Sequence, residues 1–113
     1  MIEQVRPSAL PEWMARQQAH GRVVVLDVRE AWERQTASVA ADGFDLVSIP
    51  MGDVPAQIEQ LDPARPVACL CHHGARSQRV AAFLEHNGFA HVANVAGGID
   101  AWSLERDPSI PRY

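Results

Sequence analysis

The sequence predicts an α/β fold: one domain built on a mainly parallel five-stranded sheet with helices on both faces. Three observations carry that prediction. Short β-branched runs alternate with helical segments along the chain, the order in which strand–helix–strand units build a parallel sheet. Val23-Val24-Val25-Leu26 is apolar without alternation, the mark of a strand covered on both faces. The 113 residues, 47% of them hydrophobic, suffice for one core and leave no room for a second domain.

The elements follow in order. Ile2–Val5 predicts a short first strand. Ser8 is a candidate N-cap for a helix holding Trp13, Met14 and Gln17 and ending at Gly21. The Val23–Leu26 strand stops at Asp27, and residues 30–38 then read as helical. Leu46–Ile49 predicts a third strand closed by Pro50, and Pro55–Leu61 a short helix. Val67–Cys71, just after Pro66, is the fourth strand. Ser77–Asn87 is an amphipathic helix with Val80, Ala81, Phe83 and Leu84 inward, ending at Gly88. Val92–Val95 is the fifth strand. Gly97-Gly98 opens a last helix with Ile99 and Trp102, and residues 107–113, with two prolines, read as irregular.

Composition narrows the function. A net charge of −4 argues against nucleic acid as a partner. All ten basic residues are Arg, so Schiff-base chemistry has no lysine and any fixed cation in a site is an arginine. No apolar run is long enough to span a membrane, and the first residues lack a signal-peptide pattern. A cytoplasmic monomer is expected. Cys69 and Cys71 are too few and too close for a disulfide framework and read as thiols in a reducing compartment.

The informative segment is Cys71-His72-His73-Gly74-Ala75-Arg76-Ser77, between a buried strand and a helix. Ligands bind at such carboxyl ends of strands in open α/β sheets. A tight loop eased by Gly74 would turn several backbone N–H groups inward, and the helix behind it adds the positive end of its dipole. Such surroundings favour the thiolate, the reactive form of Cys71. Arg76 supplies a permanent cation, and Ser77 a helix cap or a donor to a bound oxyanion. One short segment thus offers a nucleophile, an anion cradle and a fixed charge.

This segment resembles the active-site loop of the rhodanese superfamily, in which Cys, Gly, Arg and Ser occur at this spacing. Leu26-Asp27-Val28-Arg29-Glu30 with Trp32-Glu33 resembles the superfamily's first signature, Ile49-Pro50 its strand end, and Gly97-Gly98-Ile99-Asp100-Ala101-Trp102 its C-terminal signature. The likeness covers nearly the whole chain. It implies a rhodanese-like three-layer sandwich and a sulfurtransferase with no metal or organic cofactor. Cys71 thiolate would attack the outer sulfur of thiosulfate or a persulfide donor. The Cys71 persulfide would then pass its sulfur to cyanide, a thiol or a sulfur-carrier protein. Arg76 would stabilise the thiolate and the leaving group. The related phosphatases and arsenate reductases of this fold carry one more residue between Cys and Arg; the four here suit a sulfur atom better than a phosphate. A non-catalytic binding module is the other alternative, and the intact Cys71, Gly74, Arg76 and Ser77 argue against it.

Plainer readings apply elsewhere. Cys69 shares a strand face with Cys71 and reads as core, since two cysteines one residue apart on a strand fit disulfide geometry poorly. Cys69, Cys71, His72 and His73 could suggest a metal, but adjacent histidines on a loop converge poorly. His72 and His73 read instead as lining the loop mouth and adding positive charge near or below neutral pH. Asp27, Arg29 and Glu33 read as a structural ion-pair network beneath the site, and Trp13, Trp32 and Trp102 as core or boundary aromatics. Residues 38–45 depart from the superfamily's Gly-His-Ile pattern, on what the resemblance implies is the site side, where pocket shape and donor specificity would change. The ending Asp107–Tyr113 resembles the tail of rhodanese-like domains fused to adenylating enzymes of sulfur-carrier pathways, which implies a protein acceptor.

Overall fold

A computed structural model describes residues 1–113. Five strands form one sheet: β1 (Glu3–Val5), β2 (Val24–Asp27), β3 (Asp45–Ser48), β4 (Val67–Leu70) and β5 (Val92–Val95). Their spatial order is β1-β5-β4-β2-β3 and every pairing is parallel, so the sheet is wholly parallel rather than mainly so. The helices are α1 (Leu10–Gln17), α2 (Ala31–Thr36), α3 (Val54–Gln57), α4 (Ala75–His86) and α5 (Gly98–Glu105).

The strands bury alternate residues on two faces. Val25, Ala68, Leu70, Ala93 and Val95 face a core closed by Trp13 of α1, Ile99 and Trp102 of α5, and Phe44. Val24, Leu26, Val67 and Cys69 face the other core, against Val54 of α3 and Val80, Ala81 and Leu84 of α4. All four residues of both β2 and β4 are buried, whereas edge strand β3 is only partly covered. The continuous apolar runs of β2 and β4 match their central places in the sheet.

One local expectation is corrected. Ser8 does not cap α1: Pro7–Ala9 form a 3₁₀ turn, no side chain caps the helix, and the Ser8 N–H donates to Glu105 Oε1 at 3.2 Å. Pro7 and Pro11 fix helical φ and lack N–H groups, so little was left to cap. Val39 and Phe44 belong to the α1/α5 core, Phe44 edge-on to Trp102 at 6.0 Å, while Cys71 belongs to the other core.

The chain leaves β2 toward β3 on one side and leaves β4 toward β5 on the other. The carboxyl ends of β2 and β4 therefore flank the topological switch point, where α/β sheets open a crevice. Asp27 and Leu70 are register partners there, and Cys71 follows directly.

Candidate active site

Two glycines let the loop after β4 close tightly. Gly74 has φ +108° and sits at the N-cap of α4, a conformation that L side chains rarely adopt. Gly98, at the head of α5, has φ +61°, and a Cβ there would lie 2.3 Å from the His72 carbonyl oxygen and 2.5 Å from that of Cys71. That close approach lets Ile99 N–H donate to Cys71 O at 2.9 Å and Asp100 N–H to His72 O at 3.2 Å. The first turn of α5 thus binds two loop carbonyls, while the first turn of α4 presents amides that have no intrahelical acceptor.

Cys71 lies at the base of this loop, only 1% exposed. Its Sγ accepts the Gly74 N–H at 3.1 Å and lies 3.2 Å from Ser77 Oγ. Ser77 is fully buried. It stands in the first turn of α4 and does not cap it, because the helix begins earlier than expected, at Ala75. Its hydroxyl lies between Cys71 Sγ and Asn94 Oδ1, the latter at 2.5 Å. Cys69 is fully buried two residues upstream, and burial pushes its thiol up, as a core cysteine requires.

The charged residues form two ion pairs linked into one network, with Arg29 Nη1 also donating to the Glu33 carbonyl oxygen at 3.3 Å. Arg29 is fully buried and forks onto Asp27, Nε to Oδ1 at 2.9 Å and Nη2 to Oδ2 at 2.7 Å. Glu33 pairs instead with Arg76, whose two terminal nitrogens each donate at 2.7 Å. Arg76 is therefore a charged group turned to α2, not a free cation inside the loop. Its bond to Glu33 raises its own pKa, and the Arg76 guanidinium is the main reason that the Glu33 carboxyl falls to about 2. Glu33 is also buried, and it closes a capping box with Glu30 at the start of α2.

Tyr113 joins the two pairs. Its hydroxyl accepts from Arg29 Nη1 and donates to Glu33 Oε1, both at 3.0 Å. Its ring stacks on His72 at 3.9 Å, and His72 stacks on His73 at 3.9 Å. The tail read as irregular is thus tied across the site. Ser103 Oγ donates to Ile110 O, and Arg112 forks onto Asp100. Trp32 is not a core aromatic: it is 61% exposed, edge-on to Tyr113.

Burial, and then the neighbouring His73, lower the His72 pKa, so His72 is a poorer cation than its place on the loop implied. His72, His73 and Asp100 bring potential ligand atoms within 4.8 Å of one another. The two imidazoles lie in nearly parallel stacked planes, so one ion cannot lie in both ring planes, and Asp100 is engaged by Arg112.

The structure therefore brings Cys71, Gly74 and Ser77 together and places Arg76 with Glu33. His72 and His73 sit at the rim, and Asp27 and Arg29 sit behind them. Sequence reasoning missed Tyr113 and Asn94. A polar residue inside the buried run Val92–Val95 was the available signal for Asn94; Tyr113 is the only tyrosine in the chain but gave no local signal.

Comparison with known proteins identifies the family. Residues 10–105 match the family described as Rhodanese-like domain. The chain is 35% identical over 109 residues to the "Putative sulfurtransferase YtwF" of Bacillus subtilis, covering 95% of this chain and 96% of that one. It is 40% identical over 91 residues to "Rhodanese-like/PpiC domain-containing protein 12, chloroplastic" of Arabidopsis thaliana, covering 79% of this chain but only 30% of that longer protein. A rhodanese-related protein from Thermoplasma volcanium superposes with a TM-score of 0.76 at 27% identity, covering 98% of this chain and 99% of that one. The chain belongs to the rhodanese-like domain family.

Proposed function

We propose that this protein is a sulfurtransferase that carries sulfane sulfur on Cys71. The observation that carries the reading is the setting of Cys71 Sγ. It sits at the bottom of a short loop at the head of α4, with the Gly74 N–H at 3.1 Å and the Ser77 hydroxyl at 3.2 Å. Donors so placed stabilise a thiolate and the terminal sulfur of a persulfide.

With thiosulfate as donor, Cys71 thiolate attacks the outer sulfur. A bond forms between Sγ and that sulfur, the bond to the sulfonate sulfur breaks, and sulfite leaves with the electron pair. An acceptor thiolate or cyanide then attacks the sulfane sulfur; its bond to that sulfur forms as the Sγ–S bond breaks, and Cys71 leaves with the electron pair as thiolate. Arg76 acts through position and long-range charge, since Glu33 holds both of its terminal nitrogens. Against a phosphatase or arsenate reductase stands the loop itself, with four residues between Cys71 and Arg76 where those enzymes carry one more.

The test is intact-protein mass spectrometry before and after thiosulfate, with Cys71→Ser as control. A gain of one sulfur atom that cyanide removes and the variant lacks is expected. No gain from thiosulfate or from cysteine persulfide would overturn the reading.

A further inference from the structure

Ser77 has one hydroxyl proton and two acceptors for it. Its Oγ lies 2.5 Å from Asn94 Oδ1 and 3.2 Å from Cys71 Sγ. The orientation of the Asn94 amide is not free. Nδ2 lies 3.1 Å from the Gly74 carbonyl oxygen, which can only accept, so Nδ2 must face Gly74 and Oδ1 must face Ser77. Nδ2 also donates to Gln4 Oε1 at 2.9 Å, and Gln4 Nε2 donates to Gln78 Oε1 at 2.5 Å, next to Ser77 on α4. Asn94 is locked by β1, the loop and α4 together. Two oxygens at 2.5 Å need a proton between them, and only Ser77 can supply it.

We propose that Asn94 is a positioning residue that holds the Ser77 proton away from Cys71 while the sulfur is protonated. In this arrangement Cys71 S–H donates to Ser77 Oγ, and Ser77 O–H donates to Asn94 Oδ1. When Cys71 ionises, its S–H bond breaks and the proton leaves to water. The Ser77 hydroxyl then rotates onto Sγ, and Asn94 Oδ1 loses its donor. Asn94 is buried, so that lost hydrogen bond opposes ionisation. The second donor to the nucleophile is thus withheld from the thiol and released only to the anion. The proposal rests on Cys71 being the nucleophile, but it concerns the thiol itself and can be tested without any sulfur donor.

Other titratable and charged groups are placed around Cys71. They are Cys69 on its own strand, Arg76 of α4 with Glu33 of α2 bound to it, the Asp27–Arg29 pair at the end of β2, and His72 next along the loop. A double-mutant cycle cancels them. The midpoint of Cys71 ionisation is read from the pH dependence of iodoacetamide alkylation, with the site assigned by mass spectrometry. Asn94→Leu should lower that midpoint by about one pH unit in the parent and leave it unchanged in a Ser77→Ala background. A midpoint that does not fall in the folded Asn94→Leu protein overturns the proposal, and so does an equal fall with Ser77 absent. If Asn94→Leu does not fold, the unmodified protein decides: the Asn94 side-chain carbonyl ¹³C resonance should titrate with the Cys71 midpoint. A flat resonance across that midpoint overturns the proposal.

Discussion

Replacing Glu33 by Gln keeps its shape and removes its charge. Four hydrogens converge on that carboxylate: two from Arg76 at 2.7 Å, one from the Glu30 amide at 2.8 Å and one from Tyr113 Oη at 3.0 Å. Each oxygen therefore faces donors only, and a Gln side chain must turn its NH2 against some of them in either orientation. The folded carboxyl lies at about 2 against an ordinary 4.5, a gap that corresponds to about 3 kcal/mol. The sign follows from the depression. This stabilisation is complete above the ordinary value and is lost as pH falls from about 4.5 toward about 2. Urea unfolding of Glu33→Gln should show a loss of about 3 kcal/mol near neutral pH, shrinking to below about 1 kcal/mol near pH 2.5. The carboxylates Asp45 and Asp100, lowered chiefly by Arg22 and by Arg112, titrate in both proteins and cancel in the difference. A gap between the two proteins that stays constant with pH would refute the reasoning, because the charge would then contribute nothing through Arg76.

Three further substitutions test the remaining contacts. Gly98→Ala drives a Cβ into two loop carbonyls at a positive φ, so it should cost about 2 kcal/mol or more in denaturant unfolding and sharply reduce persulfide formation. Tyr113→Phe keeps the ring on His72 but removes the hydroxyl between Arg29 and Glu33. A loss of about 1–2 kcal/mol is expected, and an unchanged unfolding midpoint would mean that the hydroxyl does not join the two pairs. In the native protein iodoacetamide should modify Cys71 at least about tenfold faster than Cys69, with the difference abolished in denaturant. Equal native rates would contradict the placement of Cys69 in the core.

What could be read from the sequence was local. The uninterrupted runs of β2 and β4 identify central parallel strands because a strand covered on both faces has no polar face to alternate with. Cys71, Gly74 and Ser77 are legible because six consecutive steps of chain fix their separation. The partners that set their chemistry come from afar. Asn94 reaches Ser77 from 17 residues away and is held by Gln4 from 90, while Tyr113 reaches Glu33 across 80 and Arg29 across 84. No periodicity records such contacts, which exist only once the sheet has ordered its strands. The same reason explains Arg76. Its charge was plain from the sequence, but its partner sits on α2, after the strand on the far side of the switch point. A loop of this kind thus takes its nucleophile from one segment and its electrostatics from four, so proteins sharing the Cys71–Ser77 motif can differ in thiol reactivity through residues at positions such as 33, 94 and 113.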